Sequence, residues 1–225
     1  MAYWGVDSCT PASASFLSEI ESATGGTPTF WGRYLPSNSI CPNGYLTPTE
    51  VSFLHGKGIK ILPIVNDWNF SELTTYDQGV AAANHCIALA ENNGYGVSVP
   101  AGTMIALDLE TENPNYAWVQ GFADTMFNSA YVGALYCNQP DVSTEVCLAL
   151  TGSIEHGISG DGDVADMLIY GTEPNPGWTT KAGAPAWGPD TMPCGVTVAV
   201  WQYFTTSSSN PDYDEDLATS LDHMW

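Results

Sequence analysis

The sequence predicts an α/β protein whose strands close into one TIM-like barrel. Short apolar segments with strand character alternate with helical segments up to about residue 150, and such alternation is typical of a parallel sheet. Beyond that point, segments with strand character are joined by Gly- and Pro-rich loops. We therefore expect an incomplete barrel, with five strand-helix units followed by three strands that carry few helices.

The individual strands follow from short apolar runs that end at turn residues or acids. They are expected at 3–7, 30–34, 59–65, 104–110, 131–136, 167–170, near 186–187 and at 197–203. Helices are expected from Thr10-Pro11 to Gly25, from the capping-box signature at Thr47 to Gly56, and at 77–93, 115–129 and 141–150.

Length and charge restrict the class of protein. The chain has 225 residues with no linker, repeat or low-complexity tract, so we expect residues 1–225 to form a single domain. Its formal net charge of −21 would repel nucleic acid and anionic membrane surfaces, and neither is an expected partner. Only 13% of the residues are charged, which favours a secreted protein. No apolar run is long enough for a membrane span, and no basic leader is expected at the N-terminus.

Six cysteines occur without the Cys-x-x-Cys spacing of a zinc site. Disulfides in an oxidising compartment are the better interpretation, and buried free thiols are the alternative for any one of them. Pairs between Cys9 and Cys41 and between Cys137 and Cys147 are preferred, because each would tie a strand end to nearby chain.

Two carboxylates mark the end of the fourth strand. Asp108 and Glu110 are two positions apart, so in a strand they share one face at a spacing of roughly 6.6 Å. Glycoside hydrolysis needs two carboxyl groups around one sugar ring, one of them protonated. Asp7 ends the first strand, and an acid cluster follows the strand at 197–203; it comprises Asp212, Asp214 and Asp216. These strand ends are expected to converge at one mouth of the barrel.

Each acid also has a simpler interpretation. Asp7 is suited to capping the helix that follows, and the Asp run before Leu217 is typical of a helix N-terminus. Binding of Ca²⁺ through the oxygen atoms of the acid cluster is an alternative role for these residues. The histidines share no pattern of a metal site or of a catalytic base, and we expect neither a metal nor a cofactor. Arg33 is suited equally to a structural ion pair and to a substrate clamp.

Aromatic residues cluster at the predicted strand ends, where they can stack on sugar rings or simply fill the core. Together with Arg33 and Gln202, the candidates for substrate binding are Tyr34, Trp68, Tyr136, Tyr170, Trp201 and Tyr203. Trp201 and Tyr203 are the strongest of these candidates for a position in the cleft.

Several motifs resemble the family-25 glycoside hydrolases, which are lysozymes, and more closely the related glycoside-hydrolase-like domain family 1906. The matching segments are Gly5-Val-Asp7, Ala106-Leu-Asp108-Leu-Glu110, Gly133-Ala-Leu-Tyr136, Trp201-Gln-Tyr203 and the acid cluster, in that order. The resemblance implies an incomplete barrel, with Glu110 as the catalytic acid and Asp7 and Asp108 as supporting acids. The last acid of the family pattern matches Asp214, with Asp212 as the alternative, and Asp216 stands where the pattern has Asn.

The expected function is that of a secreted, monomeric glycoside hydrolase, a muramidase that cleaves β-1,4 bonds of peptidoglycan with Glu110 as general acid. Substrate assistance, a protein nucleophile and an activated water all remain open mechanisms. Segments Gly32-Arg-Tyr-Leu35 and Leu46-Thr-Pro-Thr-Glu50 look more like the uncharacterised relatives. The alternatives are therefore a wall-glycan-binding barrel without turnover and a hydrolase of another polysaccharide.

Overall fold

The computed structural model describes residues 2–36, 41, 44–67, 72–109, 113–153, 158–159, 162–206 and 212–225. Eight strands of this described part close into a barrel. They are β1 (Tyr3–Ser8), β2 (Phe30–Tyr34), β3 (Lys60–Val65), β4 (Met104–Asp108), β5 (Val132–Cys137), β8 (Leu168–Gly171), β9 (Thr197–Phe204) and β10 (Asp214–Ala218). A separate antiparallel pair is formed by β6 (Gly152–Ser153) and β7 (Ile158–Ser159).

Five helices follow the first five strands and confirm the predicted strand-helix units. They are α1 (Ala14–Thr24), α2 (Pro48–Gly56), α3 (Tyr76–Glu91), α4 (Tyr116–Phe127) and α5 (Gln139–Thr151). The side chains of Ser13, Thr47, Thr75 and Asn115 cap the first four. Ser13 rather than Thr10 is therefore the first cap. Within the described residues, no helix has the length and apolarity needed to cross a membrane.

Seven of the eight predicted strands form part of the barrel, and the prediction of a strand near 186–187 is wrong. Residues 186–187 form no strand, and the barrel is closed instead by β10, which pairs antiparallel with both β9 and β1. All other neighbouring barrel strands pair in parallel. An antiparallel return needs only a short connection, and β9 and β10 are separated by residues 205–213 alone.

Alternate residues of each strand pack into two apolar clusters. Side chains such as Phe30, Leu62 and Met104 fill the barrel interior, and Trp31 and Leu107 pack outward against the helices. Full burial of such a side chain contributes about 1.5–3 kcal/mol. Strand position therefore decides which face each site residue reaches.

Two disulfides join described residues. Cys9 is bonded to Cys41, which confirms one predicted pair, and Cys147 is bonded to Cys194. The predicted pair of Cys137 and Cys147 is wrong, because Cys147 is bonded to Cys194 instead and Cys137 is a buried thiol at the end of β5 that belongs to neither disulfide. On α5 the residues that face the barrel are Val142, Val146 and Ala149, so Cys147 is half-buried on another face, where it meets the chain after β8. Cys86 is a second buried thiol.

Candidate active site

The carboxyl ends of the barrel strands carry polar side chains that point inward. They are Asp7 on β1, Tyr34 on β2, Asp108 on β4, Tyr136 on β5, Tyr170 on β8 and Gln202 on β9. Because β10 runs in the opposite direction, its first residue, Asp214, lies at this same end, opposite Asp7 in the strand register. The mouth of the barrel is therefore lined by acids supported by tyrosines.

Asp7 is almost fully buried at the centre of this group. The hydroxyl of Tyr170 donates to Asp7 Oδ2 at 2.7 Å, and the amide nitrogen of Gln202 donates to the same oxygen at 2.9 Å. Gly32 pairs with Asp7, and a Cβ at that glycine would lie 2.5 Å from the Cβ of Asp7, so only glycine fits there. Burial, together with the charges of Asp214 and Asp108, raises the pKa of Asp7 to about 8. Asp7 is therefore mostly protonated at neutral pH.

Asp216 lies beside Asp7 and is fully buried. Its Oδ1 is 2.7 Å from the hydroxyl of Tyr170. Burial and the neighbouring Asp7 raise the pKa of Asp216 well above its usual range.

Asp214, in contrast, accepts hydrogen bonds on both of its carboxyl oxygens. The backbone N–H of Thr206 donates to Asp214 Oδ1 at 2.5 Å, and the Thr206 hydroxyl donates to the same oxygen at 2.9 Å. The amide of Gln202 reaches Asp214 Oδ2 at 3.1 Å. Burial raises the pKa of Asp214, but the two bonds from Thr206 oppose the rise because they favour the ionised form.

Asp108 accepts a hydrogen bond from Tyr34, whose hydroxyl lies 3.1 Å from Asp108 Oδ2. A pocket of about 350 Å³ opens at this end of the barrel. Tyr34 and Thr206 line it together with three acids, Asp7, Asp212 and Asp214, which can therefore be reached from outside. The site thus presents a neutral carboxyl beside a hydrogen-bonded acid in one pocket.

Tyr136, Tyr170 and Gln202 lie beneath the pocket rather than in its wall. The rings of Tyr136 and Tyr170 stack with centroids 4.1 Å apart, and Gln202 also contacts the hydroxyl of Tyr136. All three side chains are buried. They orient the acids, and of the predicted substrate-binding residues only Tyr34 lines the pocket within the described chain.

The expected cleft position of Trp201 and Tyr203 is corrected by the structure. Gln202 points into the barrel, so its two neighbours in β9 point out of it. Trp201 donates to the backbone oxygen of Pro174 at 2.8 Å, and the hydroxyl of Tyr203 accepts from the indole of Trp4 at 2.9 Å. Both belong to the packing around the outside of the barrel.

Arg33 is likewise placed away from the pocket, and its position corrects the substrate-binding expectation. It is fully buried, and its Nε lies 2.5 Å from Glu50 Oε1 on α2. It also donates to the backbone oxygens of Ser8 and Gly44. Of the two roles that the sequence allows, the geometry matches the structural ion pair.

Two predicted site residues, Glu110 and Trp68, lie outside the described residues. Within the described chain, no group of three or more His, Cys, Asp or Glu side chains is arranged to hold a metal ion. Sequence reasoning also missed Thr206, which binds Asp214. It included Asp216 in the acid cluster but gave it no role in the site, where it binds Tyr170. Asp214 and Asp216 are two positions apart, so recognition of 214–218 as a strand would have placed both on one face.

The closed barrel and the carboxyl cluster at its mouth define a glycoside hydrolase-like barrel. The chain belongs to the Rv2525c-like, glycoside hydrolase-like domain family, whose model matches residues 27–210. This match supports the predicted resemblance at the level of glycoside hydrolase-like domains, and the family-25 assignment stays a prediction. No curated protein matches the chain.

Solved structures share the whole fold. An uncharacterized B. stearothermophilus protein superposes with a TM-score of 0.84 at 28% identity, covering 99% of this chain and 100% of that one. The spore cortex lytic enzyme SleM of Clostridium perfringens gives 0.61 at 13% identity, covering 99% and 69%. The Tat-secreted protein Rv2525c of Mycobacterium tuberculosis gives 0.56 at 15% identity, covering 97% and 96%. The latter two likenesses concern the fold alone.

Proposed function

We propose that this protein is a secreted glycosidase that cleaves β-1,4 bonds of a peptidoglycan-type glycan, with a muramidase as the specific form. One observation carries the proposal: Asp7 and Asp214 line one open pocket at the mouth of the barrel, and Asp7 interacts with Asp108, two residues before Glu110 in the sequence. Sites that cleave glycosidic bonds combine a neutral carboxyl with an ionised one.

We also take residues 1–225 as one domain, because β1 and β10 pair with each other.

The roles follow from position. Glu110, two residues after Asp108 in the sequence, is proposed as the general acid. Asp108, held by Tyr34, would orient the substrate and stabilise the positive charge that develops on the sugar ring. Asp7 is neutral at pH 7 and would act as a hydrogen-bonding group rather than as a charge.

Substrate class and location rest on similarity and on composition. SleM is a lytic enzyme of the spore cortex, and Rv2525c is a Tat-secreted protein. Two disulfides are typical of proteins from oxidising compartments. The net charge of −21 disfavours an anionic polymer as substrate, so we propose the N-acetylated glycan strand itself.

A glycan-binding barrel without turnover is the second candidate. It is favoured by the internal hydrogen bonds of the acids, since Oδ2 of Asp7 already accepts bonds from two barrel side chains. Such saturation leaves fewer free lone pairs for chemistry. The same pocket would then bind sugar without cleaving it.

Digestion of purified peptidoglycan distinguishes these functions. Wild-type protein is expected to release reducing fragments that mass spectrometry assigns to cleavage of the glycan strand. Glu110→Gln removes the transferable proton and should slow the release roughly 10² to 10⁴-fold while strand binding survives. Glu91→Gln is the matched control, because Glu91 is exposed at the end of α3.

Two results would decide against hydrolysis. If Glu110→Gln cleaves as fast as wild type, the acid is assigned wrongly. If wild type retains glycan strands in a pull-down but releases no fragment, the binding-barrel function replaces the glycosidase. Release of fragments from a different polysaccharide, with none from peptidoglycan, would change the substrate.

A further inference from the structure

A second, larger cavity lies next to the candidate active site. This groove has a volume of about 680 Å³, within the range of ligand-binding clefts. Its lining includes Thr10, Glu19, Trp178, Phe204, Asp212 and Tyr213. Thr10, Asp212 and Tyr213 also line the pocket that contains Asp7 and Asp214. The groove therefore continues the active-site pocket outward, along the length of α1.

One side of the groove is formed by the chain after β8. Residues 172–196 connect β8 to β9 with only a short 3₁₀ turn at Lys181–Gly183, and Trp178 of this connection lines the groove together with residues of α1. Phe204, at the end of β9, and Tyr213, just before β10, form the floor between this segment and α1. Long connections without regular structure in a compact domain usually serve a function.

The far wall of the groove is held in place. The backbone N–H of Thr179 donates to Glu215 Oε2 at 3.0 Å, and Lys181 Nζ donates to the backbone oxygen of Thr27 at 2.6 Å. The disulfide of Cys194 with Cys147 fixes the end of the same segment. A wall anchored in this way loses little conformational entropy when a ligand binds.

Trp178 stands on this wall and is 45% exposed. Its indole Nε1 lies 3.4 Å from the hydroxyl of Tyr213, which orients the ring at the groove. Thr179, the next residue, is the one anchored to Glu215. An exposed tryptophan with an anchored backbone offers a preformed flat surface for stacking.

The lining chemistry selects the class of ligand. Aromatic faces suit the C–H faces of sugar rings, and the hydroxyl groups of Thr10 and Ser15 with the carboxyl groups of Glu19 and Asp212 suit sugar hydroxyls and amides. The described residues that line the groove include no Lys or Arg. A phosphate-bearing polymer would therefore meet two carboxyl groups, those of Glu19 and Asp212, and no cationic side chain among the described lining residues to offset their repulsion.

We propose that this groove is an outer sugar-binding subsite, in which Trp178 stacks on a residue of the same N-acetylated glycan strand that enters the active-site pocket. The inference rests on the proposed function for the identity of the polymer. Because the groove extends the active-site pocket, the affinity for a glycan should increase with the length of its strand.

Calorimetric titration with N-acetylglucosamine oligomers of two and six residues and with purified glycan strands tests this dependence. Wild type is expected to bind the long strands more tightly than the dimer. In Trp178→Ala the affinity for long strands divided by the affinity for the dimer should fall roughly tenfold. Trp178→Phe should recover part of this ratio. Tyr95→Ala is the matched control, because Tyr95 is 48% exposed and stacks on Tyr45 in the connection before β4. Circular dichroism checks that the variants are folded.

Binding and cleavage outcomes separate this inference from the proposed function. If wild type cleaves peptidoglycan and Trp178→Ala keeps the wild-type affinity ratio, the subsite is refuted and the glycosidase stands. If wild type binds long strands through Trp178 but cleaves nothing, the subsite stands and turnover is refuted. Failure of wild type both to bind and to cleave would refute both.

Discussion

The hydroxyl of Tyr170 lies 2.7 Å from Oδ1 of Asp216, and at the same distance from Oδ2 of Asp7 on its other side. A phenol has one proton, so it can donate to only one of these oxygens. The second short contact requires a proton from a carboxyl group. Both acids also have a raised pKa, chiefly because they are buried. The arrangement therefore holds at least one buried carboxyl in its neutral form.

A proton held by Asp7 in the folded protein would make its stability depend on pH. The pKa of Asp7 rises from 3.8 to about 8 on folding, so between these values the folded state holds a proton that the unfolded chain has released. The free energy of unfolding is then highest near pH 4 and falls as pH rises to about 8, by at most about 1.4 kcal/mol per pH unit for one proton. We expect the melting temperature to fall over this range.

Asp7→Asn should flatten that dependence, because the amide stays neutral at every pH. Asp222→Asn is the matched control, since Asp222 is exposed and lies near His223, whose backbone oxygen binds the start of β4 at the opposite end of the barrel. Thermal unfolding from pH 4 to 9 measures the effect. Identical slopes for wild type and Asp7→Asn would refute the stored proton at Asp7.

A second prediction concerns Asp216, which stands where the resembled family pattern has Asn. If Asp216 is neutral in the folded protein, Asp216→Asn is nearly isosteric and keeps a partner for Tyr170. We expect its melting temperature to equal or exceed that of wild type at pH 7, with a difference that grows toward pH 9. Asp216→Ala leaves a cavity and should be less stable than both at each pH. A large loss of stability in Asp216→Asn would show that the carboxylate is ionised.

The sequence predicted the barrel and the strand ends at Asp7 and Asp108, because an apolar run that stops at an acid identifies both a strand and its exit. It could not place β10, since the residues Asp-Glu-Asp-Leu-Ala of 214–218 have low strand propensity and resemble a helix start. The strand β10 is stabilised by its pairing with β1 and β9 and by protonation of its buried acids. A short stretch of sequence shows neither of these.

Side-chain direction was the other limit. All three residues of the motif Trp201-Gln-Tyr203 are suited to sugar binding. Side chains alternate along a strand, so either Gln202 or the pair of Trp201 and Tyr203 can face the barrel interior. Gln202 faces the acids, so the aromatic neighbours face the outer layer. Only the register of β9 against its partners decides this choice, and that register depends on contacts distant in sequence.

The ion pair of Arg33 with Glu50 gives a third prediction. Both side chains are buried, and Glu50 Oε1 also accepts from the backbone N–H of Ala12 at 2.6 Å. Glu50→Ala leaves a buried guanidinium without its counter-ion, which should cost about 3–5 kcal/mol in the free energy of unfolding. Urea unfolding measures this loss. Glu91→Ala, at an exposed helix position, should stay within about 0.5 kcal/mol of wild type.

A double variant checks the cause of that loss. In Arg33→Met/Glu50→Leu the unpaired charge is gone, so part of the stability should return relative to Glu50→Ala. If the loss of stability in the double variant equals the sum of the losses in Glu50→Leu and Arg33→Met, the coupling between the two charges is absent.

The last prediction separates the roles of the two supporting acids in glycan cleavage. Asp108→Asn removes a negative charge proposed to stabilise the developing cation, so the turnover rate should fall roughly 10² to 10³-fold. Asp7→Asn mimics a carboxyl that is already neutral below about pH 8, so its loss at pH 6 should be no more than about tenfold. In wild type, activity should decline as pH rises through about 8, where Asp7 ionises. In Asp7→Asn this decline should move to higher pH or disappear.

Initial rates of fragment release from pH 5 to 9 measure both effects, with Asp222→Asn as the control that changes the charge equally at the opposite end of the barrel. An alkaline decline that stays at the same pH in Asp7→Asn would assign it to another group. Equal losses in Asp7→Asn and Asp108→Asn at pH 6 would mean that Asp7 acts as a carboxylate during catalysis, because an amide reproduces the hydrogen bonds of the neutral acid but not the charge of the ionised one.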